Sequence, residues 1–239
     1  MNNENKKVLL LFSGGQDSTT LLAWCLKKYK EIHVITFKYG QRHIVEINAA
    51  KNIIKHMKQN YKGWPGRIAN TLIYDMNKIS TINSNALTEK INISNKEGIP
   101  NTFVPGRNLF FYIFGATYAY DKKINHIVSG VCQTDYSGYP DCRNETIKQL
   151  NKTVNLGMEK KFIFKTPLMK KTKSDTWKMA YNIGGKRLLK LIREKTHTCY
   201  IGEKKKLNDW GYGCKKCPAC VIRSKGWKEF YKKEGNLSL

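Results

Sequence analysis

Short apolar runs alternate along the chain with longer stretches whose apolar residues recur at helical spacing. Residues 8–12 form an apolar run, residues 13–17 contain two glycines, and residues 18–29 carry Leu21, Leu22, Cys25 and Leu26. That order predicts strand, tight turn and helix. A second β-rich run, residues 32–37, ends at Gly40, and residues 45–57 show helical spacing through Val45, Ile47, Ala49, Ala50, Ile53, Ile54 and Met57. Residues 71–74 predict a third strand. Residues 77–105 are polar and without period, and read as a long excursion from the sheet edge. An apolar, aromatic stretch at 109–120 predicts a well-buried helix, followed by a strand at 126–131, a helix at 146–158 and a short strand at 162–164. Thr172 and Asp175, three apart, give a weak capping-box signal for a helix that should stop at Gly184-Gly185. Strands separated by helices imply an α/β fold built on a parallel, Rossmann-like sheet of five strands with right-handed crossovers.

Composition adds a boundary. Residues 186–239 are rich in charge, glycine and cysteine, so two parts are expected: a catalytic unit over 1–185 and a small C-terminal subdomain over 186–239. With 239 residues and 41% hydrophobic content the chain can bury a core, which excludes wholesale disorder. No apolar run approaches the ~20 residues of a membrane span, and the polar start lacks the apolar region of a signal peptide. A soluble, cytoplasmic protein is the expectation. The formal charge of +25 (43 Lys+Arg against 18 Asp+Glu) invites a nucleic-acid reading. Only seven of those cations are arginine, the side chain suited to bidentate phosphate and base contacts, and the lysines are scattered. A solvated Lys/Asn-rich surface therefore accounts for the charge, with no obligatory nucleic-acid partner.

The string Ser13-Gly14-Gly15-Gln16-Asp17-Ser18 stands between the first strand and the first helix, where unpaired N–H groups and the helix dipole favour an anion. It is neither a Walker A loop nor G-x-G-x-x-G. It resembles the SGGxDS signature of PP-loop pyrophosphatases, which implies cleavage of ATP between its α and β phosphates. On that resemblance Phe12, Ser13, Gly14, Gly15, Gln16, Asp17, Ser18, Thr19, Thr20, Leu21 and Leu22 form the ATP-binding stretch.

Three further blocks, residues 37–43, 98–108 and 130–143, together with Thr166-Pro167-Leu168-Met169 and the terminal cysteines, resemble the 7-cyano-7-deazaguanine synthases from about residue 8 to 226. Arg107, beside a proline-glycine turn, is a fixed cation suited to phosphate or carboxylate. Asn108 offers donor and acceptor to a purine-like edge. Asp135 and Asp141 flank Tyr136 and Tyr139, offering carboxylates for ring N–H groups and faces for stacking. Gln41, Arg107, Asn108, Asp135, Tyr136 and Asp141 are the candidate substrate contacts, and Asp17, Arg107 and Lys173 the candidate catalytic residues.

Cys199 is followed by fourteen residues and then by Cys214, Cys217 and Cys220. Four thiolates with two C-x-x-C steps suit tetrahedral zinc, with a [4Fe–4S] cluster as the alternative. A closed four-sulfur site leaves no position for water, so one structural Zn²⁺ per chain is expected. Cys25 reads as a core cysteine.

The resemblance implies an ATP-dependent carbon–nitrogen ligase that converts 7-carboxy-7-deazaguanine and ammonia to the nitrile, a queuosine precursor. Two oxygens must leave and neither is a viable leaving group, so each would be adenylated in turn, with Mg²⁺ on the triphosphate and Asp17 a ligand directly or through water. AMP with pyrophosphate and ADP with phosphate both remain compatible with this logic. A homodimer is implied by the resemblance alone. The rivals are a tRNA-thiolating relative using Cys132 or Cys142, and a nucleic-acid-binding module without turnover.

Overall fold

The computed structural model describes residues 6–40, 45–76, 95–96, 99–100, 102–134 and 139–235. In chain order the elements are β1 (Lys7–Leu11), α1 (Gln16–Lys28), β2 (Glu31–Lys38), α2 (Val45–Asn60), β3 (Arg67–Asp75), the short strands β4 (Asn95–Lys96) and β5 (Ile99–Pro100), α3 (Arg107–Asp121), β6 (His126–Val128), α4 (Asn144–Gly157), β7 (Ile163–Lys165), α5 (Lys173–Lys195), β8 (Leu207–Asn208), β9 (Gly211–Tyr212) and α6 (Pro218–Glu234). The five strands foreseen from the hydrophobic pattern form one sheet in the order β3-β2-β1-β6-β7, and every pairing is parallel.

β1 lies at the centre and is apolar and buried from Val8 onward, as a strand covered on both faces must be. One face carries Val8 and Leu10 into a core with α1, α2, α5 and α6. The other carries Leu9 and Leu11 into a core with α3 and α4. The order of strands reverses between β1 and β6, and the crevice at their carboxyl ends is where open α/β sheets bind ligands.

Two expectations need correction. The third strand begins at Arg67 rather than Thr71, because its polar residues lie on an exposed edge and follow β2 through backbone register, with no apolar run to mark them. α3 is not well buried throughout. Tyr112, Gly115, Ala116 and Ala119 face the sheet, with Gly115 so close to Leu11 that a Cβ would come within 2.8 Å of it, while Phe110, Ile113 and Tyr120 on the other side are exposed. The helix starting after Thr172 stops where expected: Gly185, at φ +60° and ψ −156°, is not helical, and a second helical segment follows across this kink to Lys195, so that α5 is two helices in sequence. At the other end the capping box forms in full: the Thr172 hydroxyl accepts from Asp175 N–H, and the Asp175 carboxylate accepts from Thr172 N–H.

The boundary expected at 185/186 falls at this kink. Leu188, Ile192, Trp210, Trp227 and Phe230 from beyond it pack into the same core as Val8 and Leu10, so the C-terminal segment shares the core of the sheet. Trp177 of α5 is the keystone, fully buried with its ring edge-on to Trp227 of α6 at 4.8 Å. Trp177→Ala should lower stability by roughly 3–5 kcal/mol, read as a reduced urea midpoint, because no neighbour can refill so large a void.

Candidate active site

The chain turns from β1 into α1 through Gly14, at φ +79°, where a Cβ would sit 2.7 Å from the Ala50 amide nitrogen. Only glycine meets both demands. The turn is tied internally by Ser18 Oγ donating to Gly15 O and by contact between the Ser13 and Ser18 hydroxyls. From outside, the His197 amide donates to Gly14 O at 3.3 Å. The loop is thereby clamped between α2 and the segment leading to Cys199.

Above the loop lies a cavity of about 330 Å³. Its floor is Phe12, Ser13, Gly15, Gln16, Asp17 and Ser18, so six of the eleven residues foreseen for ATP line it. Thr19, Thr20, Leu21 and Leu22 instead run into the buried body of α1, and Gly14 makes the turn. Both polar atoms of the Gln16 amide and Oδ1 of Asp17 are buried without a partner. Buried polar groups need partners, and a ligand in the cavity would supply them. Oδ2 of Asp17 pairs with Nζ of Lys173 at 2.7 Å. Lys173 opens α5, so the capping box described above holds this lysine over the phosphate loop.

The opposite wall centres on Arg107, which follows the left-handed Gly106 at the start of α3. Its guanidinium donates to Tyr39 OH at 3.4 Å and stands about 5–6 Å from the ring centroids of Tyr39, Tyr139 and Phe111. Burial opposes its charge, but Tyr39, Tyr139 and Asp141 outweigh that and hold it a cation. Its Nε is buried without a partner. Asn108 lines the same wall. Asp141 does not: buried behind it, the carboxylate accepts from the Asn108 amide at 3.0 Å and so caps α3 from outside. The structure thus brings Asp17, Lys173, Arg107 and Asn108 around one cavity. Gln41, Asp135 and Tyr136 lie outside the described residues.

Two cavity residues escaped the sequence reading. Glu46, in the first turn of α2, makes no hydrogen bond or ion pair among the described residues, and burial pushes its carboxyl up to about 7. Arg223 of α6 is fully buried; it donates to Thr198 Oγ1 at 2.8 Å and to Ile192 O at 3.1 Å. No motif marks either position, and each is defined by tertiary neighbours alone.

The four terminal cysteines converge as expected, all sulfurs within 4.8 Å of one another. A tetrahedral Zn²⁺ at ~2.3 Å from each would need sulfurs ~3.8 Å apart, a small contraction. Cys214 Sγ accepts from the amides of Lys216 and Cys217, the second-shell pattern that stabilises thiolates. Gly213 leaves room for Cys220, whose sulfur a Cβ would approach to 2.5 Å. The donor set fits the metal. Elsewhere, burial and then Asp141 push the Cys142 thiol up to about 12, and Cys132 donates its thiol to Lys171 O.

A parallel sheet carrying this glycine loop beneath a cavity at its switch point defines the fold of the PP-loop class. Consistent with that fold, a solved 4-thiouridine synthetase–RNA complex with bound ATP superposes with a TM-score of 0.53 at 16% identity, covering 95% of this chain and 53% of that one. The family is narrower: the model for queuosine biosynthesis protein QueC matches residues 7–231, and the chain belongs to that family. Relatives named 7-cyano-7-deazaguanine synthase include those of Zymomonas mobilis (47% identical, covering 95% of this chain and 90% of the relative), Bradyrhizobium sp. (49%, 93% and 93%) and Herminiimonas arsenicoxydans (49%, 96% and 99%).

The raised Glu46 carboxyl makes a signed prediction. The folded chain keeps this proton where the unfolded chain has released it, so its stabilising contribution is full below about pH 4.5 and lost as pH rises through about 7. Glu46→Gln cannot titrate, so its melting temperature minus that of the wild type should grow by about a few degrees between pH 5 and pH 8.

Proposed function

We propose that the chain converts 7-carboxy-7-deazaguanine and ammonia to 7-cyano-7-deazaguanine, driven by ATP. One observation carries the reading: a single cavity joins the phosphate loop and its Asp17–Lys173 pair to Arg107 within a wall of aromatic rings. The loop amides and Lys173 would hold the β and γ phosphates, Arg107 the carboxylate, and the tyrosine and phenylalanine rings the planar heterocycle. Asn108 would read a ring edge; Gln41, Asp135 and Tyr136 are kept as further substrate contacts, and Asp141 would act through the helix cap that holds Arg107 and Asn108 in place.

The carboxylate, fixed by Arg107, attacks the α phosphorus and pyrophosphate leaves. Ammonia then displaces AMP to give the amide, whose oxygen is adenylated in the same way before elimination to the nitrile. Positioning and charge stabilisation carry these steps, and no nucleophilic side chain is required. Asp17, through its unpartnered oxygen, would hold Mg²⁺, which neutralises the triphosphate when bound. Cys199, Cys214, Cys217 and Cys220 would hold one Zn²⁺ per chain, closing the tail onto the core.

Cys142 gives the thiolating alternative no support: burial pushes its thiol up, and a sulfur-transfer nucleophile must be a thiolate. The proposed setting is the cytoplasm, without obligatory nucleic acid; no described helix is long and apolar enough to cross a membrane. A homodimer is proposed from the family resemblance, and the exposed stripe of Phe110, Ile113 and Tyr120 on α3 is a face suited to it.

The test is a mass-spectrometric end-point assay of zinc-loaded protein with 7-carboxy-7-deazaguanine, ammonium, Mg²⁺ and ATP. The nitrile should appear with AMP and pyrophosphate, and Asp17→Ala and Lys173→Ala should each slow its formation by at least ~100-fold. An untouched acid would overturn the reading.

A further inference from the structure

Arg223 poses a charge problem that the proposed reaction does not use. Its side chain is 99% removed from solvent, stands over the Trp177 ring and has no described carboxylate within ion-pair distance. Two of its donors go to neutral oxygens, and Nε is buried with no partner at all. Burial lowers its pKa only to about 10, with Cys220 and Asp17 pulling the other way, so it remains charged at neutral pH. An uncompensated buried cation is costly, and the protein must supply anions for it.

Two anionic sites flank it. Arg223 lies one turn beyond Cys220 in α6, and four thiolates around Zn²⁺ carry a net charge of −2. It also lines the cavity beside the phosphate loop, where a triphosphate would sit. The same few residues connect both sites. Thr198, the Arg223 acceptor, adjoins Cys199 on one side and on the other His197, whose amide holds Gly14 O; its methyl would meet a Cβ placed on Gly15 at 3.1 Å. Gly226, three residues on, lets α6 lie against Lys173, where a Cβ would come within 2.6 Å of the Lys173 Cβ.

We infer that Arg223 is a phosphate-binding residue of the nucleotide site whose charge is shared with the metal centre, so that metal occupancy and nucleotide affinity are linked. The inference rests on the cavity being the nucleotide site, and it extends the metal's role from closing the tail to setting the electrostatics of the loop. Linkage is reciprocal: if the metal tightens nucleotide binding, nucleotide must tighten metal binding by the same factor, and slower metal release is the expected expression of that tighter binding.

The experiment follows zinc release from the full-length holoprotein to a chromophoric chelator, with and without α,β-methylene-ATP and Mg²⁺, alongside the dissociation constant of that nucleotide. In the wild type the nucleotide should slow zinc release several-fold, and zinc removal should weaken nucleotide binding in proportion. Arg223→Met should bind the nucleotide about ten- to a hundredfold more weakly and lose the effect on zinc release, while retaining one zinc per chain. Arg223→Lys, which keeps the charge, should recover part of both, and serves if the methionine variant does not fold. Wild-type zinc release indifferent to bound nucleotide, or unchanged nucleotide affinity in folded Arg223→Met, would overturn the inference while leaving the synthase reading standing. Failure of the wild type to bind the nucleotide at all would remove both.

Discussion

The close approach at Gly14 is the constraint on which the rest depends. One residue ends the central strand, starts α1, lies against the backbone of α2 at Ala50 and accepts a hydrogen bond from His197. No side chain fits there, and the positive φ is one that glycine adopts without strain. The core on one face of the sheet, the first crossover helix and the cysteine-bearing tail are all referenced to that point. Because the tail contributes Trp210, Trp227 and Phe230 to the core around β1, the phosphate loop and the metal centre belong to one packed body.

The charge of the molecule is organised on two scales. The net +25 is dominated by lysines scattered over the surface, where counter-ions and water screen them. The proposed chemistry would rest on a few cations withdrawn from solvent: Arg107 among aromatic rings, Lys173 on Asp17, and Arg223 beneath Thr198. In such surroundings an anion is bound by fixed donors instead of mobile water, which is the condition for stabilising charge that develops during adenylation. Glu46 and Asp141 set limits on this positive field, the first facing the cavity with a raised pKa and the second anchoring the helix that carries Arg107.

Features with a local physical signature were legible in the sequence. The apolar runs of β1, β2 and β6 mark strands buried on both faces, the glycine string marks the turn, and the C-x-x-C steps mark a shared metal site. Features fixed by tertiary context were not. The start of β3 is polar because it lies on an edge, and α3 hides only one face because Gly115 brings only that face to the sheet. The substrate contacts divide in the same way. Arg107 and Asn108 reach the cavity, whereas Asp141, equally polar in sequence, is turned behind the wall to cap a helix. Arg223 and Glu46 could have been suspected only as charged residues within otherwise apolar helical faces.

The central claim is that the carboxylate oxygen and then the amide oxygen each depart on the α phosphorus of an ATP. The most direct measurement is oxygen tracing with 7-carboxy-7-deazaguanine labelled with ¹⁸O at both carboxylate positions, read by mass spectrometry of every phosphorus-containing product. The account predicts that both labels appear in AMP, one per molecule, with two AMP formed per nitrile and none in pyrophosphate. Label found in inorganic phosphate, with ADP as the accompanying nucleotide, would contradict it.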